Sequence, residues 1–271
     1  MTSTEDRERN LATAARLARR AAERGAALVA FPENFSYLRL GKKNRYADPL
    51  DDVLVRRLSA LARALRVYLL AGSIPEKIPR TSRVHNTSLL LSPQGRTIAV
   101  YRKIHLFDVR IRGRVSFEES RLVVPGNEPV VADTPLGKLG LSICYDLRFP
   151  ELYRRLALGG AQVLFVPSAF TEYTGRCHWM PLLQARAIEN QCWVVAPAQS
   201  GVHGPGRESH GSSAVLDPWG NVVAVREKGE GVILAEIDLS HQDRVRRSLP
   251  CLAHARAELV GIGAGGRRAT F

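Results

Sequence analysis

Apolar residues in the first part of the chain recur at the three-to-four-residue interval of a helix and then bunch into short runs. Leu11, Ala14, Ala15, Leu17, Ala18 and Ala21 form one stripe ending at Gly25. With Thr2 and Ser3 as caps and Glu5 and Asp6 suited to a first turn, the stripe predicts an amphipathic helix. The run from Ala26 to Phe31, stopped by Pro32, reads as a buried strand. A second helix is expected around Val53 to Arg66, leading into a strand from Val67 to Gly72. Further on, Thr134-Pro135-Leu136-Gly137 marks a turn, and Leu139-Gly140-Leu141-Ser142-Ile143 is a short apolar run that ends at Cys144. The polar turn Tyr145-Asp146-Leu147-Arg148 follows, and a helix is expected from Pro150-Glu151, with proline at its first position.

Two segments share one pattern. Residues 89–100 and residues 214–225 both read strand, turn, strand, and the offset is constant through Pro93 and Pro218, Gly95 and Gly220, Ala99 and Ala224, and on to Lys103 and Lys228. Gly25-Ala26 before Pro32 echoes Gly160-Ala161 before Pro167. The echoes predict an α/β fold of two similar halves, each with helices preceding strands and a hairpin, in which mixed sheets are covered by helices on the outside. Residues 1–260 are expected to form a single domain. The glycine-rich end 261–271 follows no strand and opens no helix, so it is expected to be a flexible tail rather than a phosphate cradle.

Composition narrows the function classes. The chain has 271 residues, 45% of them hydrophobic, with no apolar stretch near the roughly 20 residues that span a bilayer. The start Met1-Thr2-Ser3-Thr4-Glu5-Asp6 is not a basic-then-apolar leader, which together predicts a cytoplasmic protein with no membrane partner. A net charge of +13 invites a nucleic-acid reading. The arginines, however, are scattered along helices among Ala and Leu, and Arg244-Val245-Arg246-Arg247 reads as a helix surface, so no nucleic-acid partner is expected. Cys144, Cys177, Cys192 and Cys251 are too sparse and irregular for a disulfide framework. Cys177-His178 does not recur at ligand spacing with Cys192 or with Cys251 and His254, and no metal site is expected.

Cys144 stands where a strand gives way to a turn, the edge at which α/β sheets carry their sites. A lone cysteine there is more often a small buried hydrophobe. To act as a nucleophile on an amide, it needs a base, donors for the oxyanion and an acid for the departing nitrogen. Glu33, at the exit of the first strand, and Lys103, after the first hairpin, are candidates; each taken singly also reads as a loop cap or a strand end.

These residues carry a resemblance. Phe31-Pro32-Glu33-Asn34, Tyr101-Arg102-Lys103-Ile104-His105-Leu106-Phe107-Asp108 and Ser142-Ile143-Cys144-Tyr145-Asp146-Leu147-Arg148-Phe149-Pro150-Glu151-Leu152 resemble the three signatures of the nitrilase superfamily of carbon-nitrogen hydrolases. The resemblance implies a four-layer α-β-β-α sandwich and a cofactor-free amidase acting on a small-molecule amide through a thioester. It implies Glu33 as general base, Lys103 as cationic stabiliser, Cys144 as nucleophile, Glu119 as a second glutamate beside the lysine, and the Tyr145 backbone N–H with Lys103 at the oxyanion. It further implies a homodimer or higher homo-oligomer. Pro167-Ser168-Ala169-Phe170, Ala185-Arg186-Ala187-Ile188-Glu189-Asn190-Gln191-Cys192 and Ala196-Pro197-Ala198-Gln199 are similar to the Nit-type branch, closer to deaminated glutathione amidases than to ω-amidases acting on 2-oxoglutaramate. Other aliphatic amidases, carbamoylases and nitrilases share the site, and a non-catalytic scaffold of the same fold is the reading from a different class. Arg148, Arg176, His178 and Phe170 are the candidate substrate contacts. The family also places a strand ahead of residues 1–4; the chain begins without it, so unpaired backbone and apolar surface are expected beside the first strand.

Overall fold

A computed structural model describes residues 1–41, 45–113, 115–256 and 258. The expected tail 261–271, and with it the end of the domain at 260, lies outside the described residues.

The first half opens with α1 (Arg7–Glu23), β1 (Leu28–Ala30), α2 (Val53–Leu65), β2 (Tyr68–Leu70), β3 (Ile74–Lys77), β4 (Val84–Leu91) and β5 (Thr97–Arg102). Both helices fall where the pattern predicts, but the cap of α1 does not. Asp6, not Thr2 or Ser3, is the N-cap, its carboxylate accepting from the Arg9 N–H at 3.0 Å. Ser3 is instead buried and donates through its hydroxyl to the Phe35 carbonyl at 2.9 Å, while its N–H donates to Gln199 Oε1 at 3.0 Å. Tertiary partners thus claim a residue whose local preference is to cap a helix.

The strands β1, β2 and β4 run side by side, β1 parallel to β2 and β4 antiparallel to it; β3 and β5 both pair with β4. Alternation sorts their side chains. Leu69, Ala71, Leu89 and Leu91 pack with Leu17 of α1 and Leu58 of α2, whereas Leu70 and Leu90 point the other way, into a core shared with the second half.

A small hairpin, β6 (Asp108–Ile111) and β7 (Val115–Glu118), leads to the second half: β8 (Val130–Thr134), β9 (Gly137–Leu141), α3 (Pro150–Leu158), β10 (Val163–Phe165), α4 (Glu172–Asn190), β11 (Trp193–Ala196), the hairpin β12 (Ser200–Gly204) and β13 (Arg207–His210), then β14 (Ser213–Leu216), β15 (Val222–Arg226) and α5 (Leu239–Ser248). The second sheet has the order β15-β14-β11-β10-β9-β8, parallel in its centre and antiparallel at its flanks. Leu139 and Leu141 share a core with Leu70 and Leu90, and Leu152, Leu156, Trp179 and Leu183 bring α3 and α4 to the same core. Gly140 faces α3: a Cβ there would lie 3.1 Å from the Cβ of Ala161 and 3.3 Å from that of Leu156. The layers are helix, sheet, sheet, helix, the arrangement implied by the resemblance.

The two halves repeat one another, β1 and β2 followed by antiparallel β4 and β5 matching β10 and β11 followed by antiparallel β14 and β15. The correspondence stops at two places. Lys103 is buried after β5, whereas Lys228 after β15 is exposed, 4.0 Å from Glu172. Beyond β10 the second sheet continues into β9 and β8, whereas among the described residues the first sheet ends at β1. Beside β1 lies a cavity of about 610 Å³, lined by Leu28 to Phe31, by Leu139, Val163 and Val195 of the other sheet, and by residues 231–237, which join no ladder. No helix among the described residues is long and apolar enough to cross a membrane.

Candidate active site

Four strand ends converge between the sheets. Glu33 lies just past β1, where the chain turns at Phe31-Pro32 against the exit of β2. Gly72 makes that turn possible, because a Cβ at this position (φ +25°) would sit 2.0 Å from the Pro32 carbonyl oxygen. Lys103 follows β5 directly, and Glu119 opens a 3₁₀ turn after β7. Cys144 opens another, Cys144–Arg148, after β9, and it holds a left-handed φ of +49°, a conformation costly for a residue with a Cβ. All four are buried: 4% of Glu33, 2% of Lys103, 6% of Glu119 and 8% of Cys144 is exposed.

Lys103 Nζ donates to Glu33 Oε1 at 2.9 Å and to both Glu119 oxygens, at 2.9 and 3.2 Å. Asn86, at the middle of β4, donates through Nδ2 to Glu33 at 3.0 Å and to Glu119 at 3.3 Å. Backbone donors complete the cluster, the Ala169 N–H on Glu33 Oε2 at 2.9 Å and the Phe107 N–H on Glu119 Oε2 at 2.7 Å. Two carboxylates and one ammonium are stable here because each charge is hydrogen-bonded several times over. The Cys144 thiol lies beside Glu33, close enough for each to act on the other's titration.

The protonation states follow from the surroundings. Burial pushes the Cys144 thiol well above its ordinary pKa, and the Glu33 carboxylate adds to that more than Lys103 subtracts. Burial also disfavours charge on Glu33, yet Lys103 and the thiol of Cys144 overcome it and hold the carboxyl below its usual value. Burial opposes the Lys103 ammonium too, but Glu119 and Glu33 raise its pKa well above the ordinary lysine value. At neutral pH the site is therefore carboxylate, ammonium and neutral thiol.

Asp146 ties the Lys103 and Cys144 segments together. Its fully buried carboxylate accepts from the Tyr101 hydroxyl at 2.6 Å, the Ile143 N–H at 2.8 Å, the His105 N–H at 3.0 Å and His105 Nδ1 at 2.8 Å. The residues flanking the lysine and the residue before the cysteine thus share one acceptor.

Of the candidate substrate contacts, Arg148 and Phe170 line the cleft around Cys144, the guanidinium lying 5.1 Å from the Phe170 ring centre. Arg176 and His178 do not. Arg176 projects into solvent from α4 and pairs with Glu172 at 2.8 Å, an i,i+4 contact, and His178 reaches the cleft only through Arg148 Nη1 at 3.2 Å. Trp179 is fully buried, its indole N–H donating to the Ser212 carbonyl at 2.8 Å. Two further arginines line the cleft, Arg39 and Arg207. Both stand on irregular or hairpin segments, where no periodicity marks them.

A protein-family model for carbon-nitrogen hydrolases matches residues 1–247. The deaminated glutathione amidase of Bos taurus is 43% identical over 269 residues, 96% of this chain and 81% of that protein. The Synechocystis enzyme of the same name is 43% identical over 258 residues, 94% of this chain and 95% of that protein. The crystal structure of Saccharomyces cerevisiae Nit3, a member of branch 10 of the nitrilase superfamily, superposes with a TM-score of 0.82 at 34% identity, covering 92% of this chain and 90% of that one. By sequence and by architecture the chain is a member of the carbon-nitrogen hydrolase family, an amide-hydrolysing enzyme on the nitrilase-superfamily fold.

Proposed function

We propose that the enzyme hydrolyses deaminated glutathione to 2-oxoglutarate and cysteinylglycine, with Cys144 as nucleophile, Glu33 as general base and Lys103 as an oxyanion donor. The observation that carries the substrate is the 43% identity, over nearly the whole chain, to two amidases of that name. The chemistry is supported by a neutral thiol held beside a carboxylate that burial has failed to neutralise. Glu33 takes the thiol proton as sulfur bonds to the carbonyl carbon, and the negative charge that develops on oxygen is met by the Lys103 ammonium and the Tyr145 N–H. The C–N bond breaks as Glu33 delivers the proton to the leaving nitrogen. Water then attacks the thioester, giving one proton to Glu33 and releasing the acid, and the proton returns to sulfur. Glu119 keeps Lys103 charged and aimed. Within this reading residues 1–260 act as one hydrolase domain and assemble as a homodimer. The location is cytoplasmic, in keeping with the free, exposed Cys177 and Cys251.

The test is release of 2-oxoglutarate from deaminated glutathione and from 2-oxoglutaramate by the purified protein. Faster turnover of the former is expected; equal rates, or none on either, would overturn the substrate assignment.

A further inference from the structure

The charges lining the cleft do not balance. Four cations, Arg39, Lys103, Arg148 and Arg207, face two anions, Glu33 and Glu119, and both anions are held by Lys103. None of the three guanidiniums forms an ion pair with a carboxylate among the described residues. Arg148 rests over Tyr145 and Phe170 and contacts His178; Arg207 lies 4.6 Å from the Phe117 ring centre. Burial disfavours the charge on Arg39 more than Glu119 and Tyr37 restore it, and the nearby Arg207 adds to the cost. Two half-buried guanidiniums lining one cleft, with no carboxylate bonded directly to either, are a costly arrangement that an arriving anion would relieve.

The positions of these cations have a direction. Arg207, Phe117, Phe107, Tyr145 and Arg148 form a row in which aromatic rings separate the two guanidiniums, with Phe107 5.8 Å from Phe117 and 5.0 Å from Tyr145. Arg207 is near enough to Glu33, and Arg39 to Glu119, for their charges to interact, whereas Arg148 lies over Tyr145. Glu33 is the group that hands a proton to the leaving nitrogen in the mechanism above, so the leaving half of a substrate extends toward the paired arginines.

We propose that Arg39 and Arg207 together bind a carboxylate on the leaving amine, making them the residues that select a substrate with an acidic leaving half. The inference rests on the amidase reading above and names the part of the substrate that reading leaves unassigned. Two guanidiniums on one carboxylate supply planar, charge-assisted bonds that ammonia or a neutral amine as leaving group does not use.

The experiment compares deaminated glutathione with its glycine carboxamide, which has the same acyl half and the same scissile bond. The wild-type enzyme is expected to favour the acid in kcat/KM by about 10- to 100-fold, the range for one or two hydrogen bonds to an ionised group. In Arg39→Gln and Arg207→Gln the preference is expected to fall to within about two- to threefold of parity, by a loss on the acid carried mainly in KM. Arg207→Lys, which keeps the charge and the packing on Phe117, is expected to retain part of it and serves if a glutamine variant fails to fold. A wild-type enzyme indifferent to the carboxylate, or variants that keep the full preference, would overturn the assignment while leaving the amidase reading in place. Failure of the wild type to turn over either compound would remove both.

Discussion

Replacing Asp146 by asparagine tests whether the fold really joins its lysine and cysteine through one acceptor. The carboxylate receives four hydrogen bonds, two on each oxygen. Asparagine offers one acceptor oxygen, so two donors must face its NH₂ group. The Tyr101 hydroxyl can rotate to accept, but the N–H of Ile143 or of His105 cannot, and whichever way the amide turns, one backbone donor stays buried without a partner. An unsatisfied buried donor costs about 1–3 kcal/mol and a lost bond to a charged acceptor about 1.5–3 kcal/mol, which together give roughly 3–5 kcal/mol. In a domain of this size that is a fall in Tm of about 6–20 °C. Because the shift also moves the Cys144 turn relative to Lys103, kcat should fall by about 10²-fold, the cost of a displacement near 1 Å in a reacting group. Tyr101→Phe removes one of the four donors and leaves no backbone donor unpaired, so it should cost only about 1.5–3 kcal/mol. Thermal melts and amide turnover measured on both variants decide the matter. A D146N enzyme that melts within about 2 °C of wild type and keeps about a third of its activity would show that the shared acceptor is not what positions the site.

Cys144→Ala should abolish turnover while shifting Tm by only a few degrees, because loss of one sulfur at a strand end leaves a small cavity; intact-mass measurement after brief exposure of the wild type to substrate should show an acyl adduct on Cys144, and an adduct elsewhere would reassign the nucleophile. Lys103→Met removes the proposed oxyanion donor and should lower kcat by about 10²- to 10³-fold; a loss of only a few fold would mean that the ammonium does not face the carbonyl. His203 is buried in its neutral form, one ring nitrogen 2.7 Å from the Ser3 carbonyl and the other 2.8 Å from the Ser209 hydroxyl, and burial lowers its pKa from 6.5 to about 4. The unfolded chain therefore binds a proton there between pH 6.5 and about 4 that the folded chain refuses. This contribution to stability is fully present above pH 6.5 and is lost progressively as pH falls toward 4, by up to about 3 kcal/mol. Denaturant melts of His203→Gln should show a flatter stability profile across that interval; an unchanged slope would contradict the assignment.

Much of the fold can be read from the residues because pattern and packing agree. The stripe of α1 and the alternation at Leu69-Leu70-Ala71 and Leu89-Leu90-Leu91 point to the layers they occupy. Glu33, Lys103 and Cys144 stand at strand ends within long motifs, and the structure brings them to one buried cluster. What the sequence hides is what only tertiary contact decides. Ser3 has the chemistry of a helix cap, but its partners Phe35 and Gln199 lie 32 and 196 residues away. Lys228 repeats the sequence position of Lys103 without its burial, standing exposed with Glu172 at 4.0 Å. Arg176 was recoverable: Glu172 four residues earlier on the same helix is the local partner that draws it out of the cleft. Arg39 and Arg207 carry no such signal, because neither stands in a periodic segment and the fold alone brings them together.

The state of Cys144 at rest has a consequence for the enzyme's durability. Peroxides and alkylating agents attack thiolates far faster than thiols, and this sulfur is held as a thiol, nearly enclosed; in the proposed mechanism only an arriving carbonyl draws its proton onto Glu33. Under the proposed mechanism the nucleophile is switched on by its substrate and spared between turnovers, so under mild oxidative stress damage should fall first on the solvent-facing sulfurs of Cys177 and Cys251 and leave catalysis running.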